Sequence, residues 1–210
     1  MQTQKELATH GVASKQSQSV EQKIKKLQEL YVDAPEFGKI ALEKGLPDLK
    51  REFAAATGVH NAGRIGARQG KVSELTGIFP FTKGGAKRLR GLLQLLEGNF
   101  LGADKVGTVH NMRFVFLDND AKLLFATAYD GEWDAYIEDF ATKIPSAMDL
   151  LFCNAEGWPG IRSPKVKDWI VEHQVAAEAW YVSSPNLTVA ETRRLEHVGK
   201  AVEEFLDRIG

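Results

Sequence analysis

One supersecondary unit occurs twice between Val72 and Trp158, and this near-repeat limits what the chain can fold into more than any other feature. In each half the residue pattern predicts a strand, an amphipathic helix and a second strand. In chain order these elements are residues 72–81, 85–97, 108–117, 122–129, 132–142 and 148–154. A tight turn at residues 118–120 joins the halves. The order is therefore βαββαβ, the ferredoxin-like plan of an α+β protein.

Three segments differ in kind and predict the domain organisation. Residues 1–58 form an N-terminal helical arm, whose first helix follows a capping box at Ser19 and Gln22. Its apolar side chains are Ile24, Leu27, Leu30, Tyr31, Phe37 and Ile40. Helices this short are stable only when packed, so we expect the arm to dock on the barrel or on its dimer mate. Residues 59–71 are predicted as a linker containing glycine and arginine, with a lid over a pocket as the alternative. Residues 72–210 form the barrel domain with its C-terminal helices.

The predicted strand at residues 108–117 is apolar on both faces. A ferredoxin-like sheet carries helices on one face, and a fifth strand expected at residues 176–182 would widen it. A sheet with two apolar faces and one helical layer indicates a second sheet packed against it. The simplest arrangement is a homodimer, or a higher homo-oligomer, in which two sheets form a dimeric α+β barrel.

Two helices are predicted near the C-terminus. The first, beginning at Ser163, carries His173 on the same face as three apolar side chains. The second follows a capping box at Thr188 and Glu191. Its apolar stripe is predicted to face the core and consists of Leu195, Val198, Val202, Phe205 and Leu206.

Composition narrows the class of partner. A net charge of −1 gives little affinity for phosphate, so no nucleic-acid partner is expected. No run of 18 apolar residues and no secretion signal is present, which predicts a cytoplasmic protein without membrane insertion. The single cysteine, Cys153, excludes an internal disulfide and a multi-cysteine metal site.

Residues 72–182 resemble the dimeric α+β barrel superfamily. Its members include dye-decolourising peroxidases, chlorite dismutase-like haem proteins, antibiotic-biosynthesis-type monooxygenases and small lactone isomerases. More closely, His110-x-x-Arg113 on one strand and Asp130-Gly131 after the next are similar to a bacterial family without an assigned activity. The similarity extends to residues 156–160 and 173–174. The resemblance implies the barrel fold and a homodimer, and it says little about function.

His110 and Arg113 are the candidate catalytic residues. They lie three apart on a strand and so face opposite sides unless a bulge intervenes. A buried Arg113 needs a carboxylate partner, Asp130 or Glu156, or else an anionic ligand that it clamps. For His110 the alternative is a histidine hydrogen-bonded within the core or at its rim.

Other polar groups would surround a ligand in the barrel. The candidate ligand-binding residues are Asn111, Tyr129, Asn154, Trp158, Asp130 and Glu156. His173 is the candidate cofactor-binding residue, because helix-borne histidines ligate iron in the haem relatives. No spacing of histidines or carboxylates predicts a metal site.

Two functions from different classes follow. The first is a small-molecule-binding barrel, either haem-dependent or free of cofactor, with oxidoreductase or isomerase chemistry on an apolar or aromatic substrate. The second is a non-catalytic homo-oligomeric module with a solidly packed barrel and a docking arm. A cavity inside the barrel would favour the first, and a filled barrel the second.

Overall fold

The computed structural model of the chain describes residues 19–55, 59–97 and 101–209. These residues belong to two compact units, Met1–Gly58 and Val59–Gly210. The boundary between the units falls where the predicted helical arm ends.

The first unit contains α1, Val20–Leu30, and α2, Glu36–Ala55. The predicted capping box is present: the Gln22 amide donates to Ser19 Oγ, and the Ser19 amide donates to Gln22 Oε1. Ile24 is buried. Five large apolar side chains in the described part of the unit are exposed, namely Leu30, Tyr31, Val32, Phe37 and Ile40. The docking of these side chains stays a prediction. The polar composition before Ser19 also predicts that the first 15 or so residues stay loose, and these lie outside the described residues.

The second unit contains an antiparallel sheet, which together with its helices confirms the α+β class. The strands are β1 His60–Asn61, β2 Ala67–Gln69, β3 Val72–Pro80, β4 Val109–Leu117, β5 Lys122–Asp130 and β6 Gln174–Val175. Their order is β1-β2-β3-β5-β4, and β6 also pairs with β3. Because β5 lies between β3 and β4, these two strands are not neighbours in the sheet.

The α-helices of the second unit lie between these strands and after them in the chain. They are α3 Gly85–Leu95, α4 Trp133–Lys143, α5 Pro145–Phe152, α6 Val166–His173 and α7 Val189–Ile209. Among the described residues, no helix is long and apolar enough to cross a membrane.

The hydrophobic core lies between one face of the sheet and helices α3 to α6. Among its residues are Leu75, Phe79 and Phe125 from the strands and Leu89 and Phe140 from the helices. Alternate residues of the strands point the other way. We call that second surface the open face; its residues are Val72, Glu74, Thr76, Ile78, Asn111, Arg113, Val115, Leu117, Leu124, Ala126 and Ala128.

The predicted strand at residues 148–154 is wrong, because this segment belongs to helix α5. Pro145 occupies the first turn, and Met148, Leu151 and Phe152 are buried at helical spacing. A short apolar run can satisfy either period, so its pattern alone does not separate strand from helix.

The predicted strand at residues 176–182 is also wrong, since β6 ends at Val175. The edge of β3 is already taken: β2 pairs with its residues 72–73, and β6 pairs with residues 76–77. The chain after β6 instead crosses the open face as an irregular segment. The Gln69 side-chain amide donates to the Trp180 carbonyl at 2.7 Å, and the Lys71 amide donates to the Pro185 carbonyl at 2.7 Å.

The segment at residues 59–71 was predicted as a linker and is instead a hairpin built into the second unit. Its strands β1 and β2 pair with each other, and β2 pairs with β3. The Trp133 amide donates to the Ala62 carbonyl at 2.9 Å. The Arg64 guanidinium lies over the Trp133 ring, and Arg68 forms an ion pair with Glu132. The glycines therefore serve tight turns within the fold.

The apolar stripe of α7 was predicted to face the core, and this is wrong. Val189 is buried in the first turn, whereas Leu195 and Phe205 are 55% and 60% exposed. The 3.6-residue period predicts a helix with one apolar face but does not identify what that face contacts.

We expect Gly70→Ala to lower the free energy of unfolding by about 1–3 kcal/mol. Gly70 has φ +58°, and a Cβ there would lie 2.4 Å from the Pro185 carbonyl oxygen, so alanine strains the backbone and displaces the crossing segment. Urea denaturation measures the effect. Gly91→Ala is the matched control: a Cβ at Gly91, inside α3, meets no atom within 4 Å, so that variant should gain about 0.5–1 kcal/mol. Equal stability of the two variants would contradict the prediction.

Candidate functional site

A β-bulge in β4 determines which side chains reach the open face. The ladder between β4 and β5 shifts register just before Asn111, so His110 is the extra residue. Asn111 then pairs with Ala128, and Arg113 follows it on the same face. His110 also borders a pocket on that face. This bulge brings His110 and Arg113 to the same face of the sheet, although three-residue spacing on a regular strand would place them on opposite faces.

Asp130 fixes the orientation of the His110 ring. His110 Nε2 lies 2.7 Å from Asp130 Oδ1, and the side chains are 23% and 12% exposed. Because a carboxylate only accepts hydrogen bonds, Nε2 carries the hydrogen. Asp130 Oδ2 accepts from the Val189 amide at 3.0 Å, so the same carboxylate also holds the start of α7. The Nδ1 atom of His110 has no partner among the described residues and remains available to a ligand.

The pocket beside His110 has a volume of about 310 Å³. The open face forms its floor, and the crossing segment with the start of α7 forms its walls. Its lining residues are Val72, His110, Asn111, Ala128, Trp180, Tyr181, Val182, Ser183, Ser184, Leu187 and Thr192. The lining therefore combines apolar side chains with an imidazole, an amide and four hydroxyl groups. A concavity that offers both apolar surface and a few polar groups is typical of small-molecule sites.

The capping box of α7 anchors the wall of this pocket. Thr188 Oγ1 accepts from the Glu191 amide, and Glu191 Oε2 accepts from the Thr188 amide at 2.7 Å. Lys71 Nζ lies 2.7 Å from Glu191 Oε1. The Lys71 ammonium and the Thr188 donors lower the pKa of Glu191 to about 2. The ion pair and the cap together attach α7 to the sheet next to the pocket.

Arg113 was predicted to be buried or half-buried and either paired with Asp130 or Glu156 or clamped on an anionic ligand, and the burial and the pairing are wrong. Its side chain is exposed and forms no ion pair within the described residues. Asp130 is engaged by His110 instead, and the Glu156 side chain is exposed. The alternation of β4 places Arg113 on the outer part of the open face, where water solvates the guanidinium and no partner is required.

Two other predicted ligand-binding residues serve the core. Tyr129 is fully buried and stacks on Tyr136 with ring centroids 3.8 Å apart. Its hydroxyl has no hydrogen-bond partner in the described structure, and burial followed by the charge of Glu74 raises its pKa. Asn154 is buried, accepts from Arg88 Nε at 3.0 Å and donates to carbonyls at the end of α5. Its hydrogen-bonding groups are therefore occupied by the fold.

Trp158 and His173 are also held by their neighbours. Trp158 Nε1 donates to Asp149 Oδ1 at 2.9 Å. The His173 ring lies 5.4 Å from Phe79 and 4.5 Å from Trp169, and its Nδ1 donates to the Trp169 carbonyl at 2.8 Å. The neighbouring core contains an apolar void of about 20 Å³. A haem does not fit there, so His173 is not placed to ligate one inside this core.

The pocket wall was not predicted from the residue pattern. Trp180 fell within the strand expected at residues 176–182, and Ser183, Ser184 and Thr192 were not among the candidate site residues. The run Ser-Ser-Pro-Asn at residues 183–186 is a turn signal, and it argued against continuing a strand to that point. Within the described ranges, no group of three or more histidine, cysteine, aspartate or glutamate residues is arranged to hold a metal ion.

Comparisons of the chain with protein-family models, with curated proteins and with solved structures found no match. The resemblance to dimeric α+β barrels therefore stays a prediction.

The stability of the fold should depend on acid through Glu191. Its pKa is lowered in the native state, so below about pH 4.5 the unfolded chain binds a proton that the native chain does not, and stability is lost until the pH reaches about 2. We expect the melting temperature of Glu191→Gln to fall less than that of the wild type between about pH 5 and pH 2. The control Glu196→Gln changes an exposed residue of the same helix and should follow the wild-type curve. Parallel curves for all three proteins would refute the role of Glu191.

Proposed function

We propose that the second unit binds a small molecule in the pocket between the open face and the crossing segment. The observation that carries the proposal is His110, which borders a concavity of about 310 Å³ while Asp130 holds its ring at 2.7 Å. A histidine at the surface usually samples several rotamers. The His110 ring is restrained by its hydrogen bond to the half-buried carboxylate of Asp130. Such pre-orientation favours a defined contact with a ligand.

The lining indicates the kind of ligand. Val72, Ala128 and Leu187 offer apolar contact, and Trp180 adds an aromatic surface. The imidazole and the side chain of Asn111 lie on the floor, where they would meet one polar end of the ligand. A compact molecule with an aromatic or aliphatic body and one oxygen-bearing group fits this distribution. It belongs to the apolar or aromatic class expected from the sequence.

Proton transfer is the chemistry that this arrangement supports best. A histidine whose far nitrogen is held by a carboxylate presents its other nitrogen as a general base or acid, and the carboxylate stabilises the imidazolium that forms. In this pocket Asp130 is the positioning residue, and His110 Nδ1 is the atom that would move the proton. Of the chemistries that the resemblance implies, isomerisation without a cofactor uses these groups directly.

A second candidate is a homo-oligomeric module that pairs through the uncovered part of the open face. Val115 is 41% exposed there, beside half-buried Leu117, Leu124 and Ile78. The placement of β5 between β3 and β4 supports a ferredoxin-like sheet, in which β6 and a single bridge at Phe81 would stand for the fourth strand. Two such sheets packed face to face would form the dimeric α+β barrel, with the pocket at its rim.

Ligand binding is tested by NMR titration of the His110 ring, whose signal is assigned by its loss in His110→Ala. The probes are benzoate, phenylacetate and indole-3-acetate with their amides. We expect at least one probe to shift the His110 signal saturably while leaving the His197 signal, outside the pocket, unchanged. Trp180→Ala should weaken that probe about tenfold, since stacking contributes on the order of 1 kcal/mol. Glu156→Gln is the control and should bind as the wild type does. Equal shifts at both histidines would argue against the site.

The second candidate is tested with Val115→Asp. A carboxylate in the middle of a sheet-to-sheet contact cannot be solvated, so we expect the mass of the assembly to halve in sedimentation equilibrium, or the protein to become insoluble. Arg113→Met changes an exposed neighbour without adding a buried charge, and it should retain the assembly. If Val115→Asp stays soluble with an unchanged mass, the open face is not a subunit contact.

A further inference from the structure

Only the first turn of helix α7 is packed into the second unit, and the next turn contacts that unit through an ion pair between Arg193 and Asp104. Val189 is buried, Glu191 and Thr192 are half-buried, and every residue from 193 to 209 is exposed. The helix is 21 residues long, which corresponds to about 30 Å. A water-exposed helix of this length is marginal by itself, because most helical stability comes from the packing of an apolar face.

The exposed part of α7 carries a continuous apolar stripe. Its members follow the alternating three- and four-residue spacing of a two-helix contact and are between 50% and 66% exposed: Leu195, Val198, Val202, Phe205, Leu206 and Ile209. A contiguous patch of six exposed apolar side chains is rare on a monomeric protein and marks an interaction surface.

We propose that this stripe pairs with the stripe of a second copy of α7 in an antiparallel two-helix contact centred on Lys200. In this register Val198 of one copy packs against Val202 of the other, and Leu195 packs against Phe205. Gly199 and Ala201 flank the centre. A Cβ at Gly199 would meet no atom within 4 Å, so the backbone can be approached closely there.

Charge along the helix favours this occupant and this direction. Residues 193–200 carry Arg193, Arg194 and Lys200 against one acid, Glu196. Residues 203–208 carry three acids, Glu203, Glu204 and Asp207, against Arg208. An antiparallel pair centred on Lys200 sets the basic stretch of each copy beside the acidic stretch of the other, and it opposes the two helix dipoles. A parallel pair, or a shift of one heptad toward the C-terminus, sets acid beside acid.

Other occupants fit the charge less well. A membrane surface attracts helices whose polar face is rich in lysine and arginine, whereas the outer half of α7 is acidic. The antiparallel direction also places the two second units at opposite ends of the contact. This surface is separate from the pocket and from the open face, so the inference does not depend on the proposed function.

The contact itself is tested with Phe205→Asp in the full-length chain, measured by sedimentation equilibrium at micromolar concentration. We expect the mass of the assembly to fall by half while the melting temperature of the second unit is retained. His197→Gln changes an exposed residue of the same helix that is neither in the stripe nor among the charges above; it is the control and should keep the wild-type mass. A monomeric wild-type protein, or an unchanged mass in Phe205→Asp, would overturn the proposal. Val115→Asp separates this contact from one through the open face.

Direction and register are tested by disulfide formation in a Cys153→Ser background, which removes the exposed native thiol. Differently tagged Val198→Cys and Val202→Cys chains are mixed and oxidised. An antiparallel pair centred on Lys200 brings the two cysteines together, so the mixture should give the crossed dimer and each variant alone should give little. Crosslinking of each variant with itself would indicate a parallel pair, and no crosslinking would indicate another occupant of the stripe. Either result would overturn the proposal. The crosslinking test remains decisive even if the Phe205→Asp variant aggregates.

Discussion

The pairing of β3 with β5 is the constraint on which the second unit depends. All nine residues of each strand are in register, from Val72 opposite Asp130 to Pro80 opposite Lys122. Side chains alternate along a strand, so this one register assigns every residue of the pair to the core or to the open face. A shift of the strand pairing by one residue would move Phe79 and Phe125 from the core to the open face and would bring Lys122 into the core. The same register places Asp130 at the end of the ladder, where it meets both His110 and the start of α7.

The edge of β3 explains why the rest of the sheet departs from the ferredoxin-like plan that the sequence predicted. Two short strands occupy that edge, one contributed by the hairpin before β3 and the other by the chain after α6. A full fourth strand would need the whole edge for its hydrogen bonds. With the edge divided, the apolar run around Met148 and Phe152 is better buried as a helix against the core. The chain after Val175 then crosses the open face and supplies the walls of the pocket.

Local patterns predicted those parts of the fold whose structure depends on local interactions. The strands β3, β4 and β5, the helices α3, α4 and α7 and the capping boxes at Ser19 and Thr188 all lie at or close to their predicted positions. What failed depended on distant partners. Residues 148–154 and 176–182 do not form strands because β2 and β6 already pair with the edge of β3. Whether the apolar stripe of α7 is covered depends on tertiary structure alone.

The candidate site was predictable in part for the same reason. The sequence identified His110, Asn111 and Asp130, and the structure brings these three to one end of the open face. It also selected Tyr129, Asn154, Trp158 and His173, polar or aromatic groups whose hydrogen bonds and ring contacts turn out to serve the core. The type of a residue states which bonds it can make, but not whether the fold has already used them. His110 and His173 each use one ring nitrogen in a hydrogen bond. They differ in their surroundings: the His110 ring borders the pocket, whereas the His173 ring packs against Phe79 and Trp169.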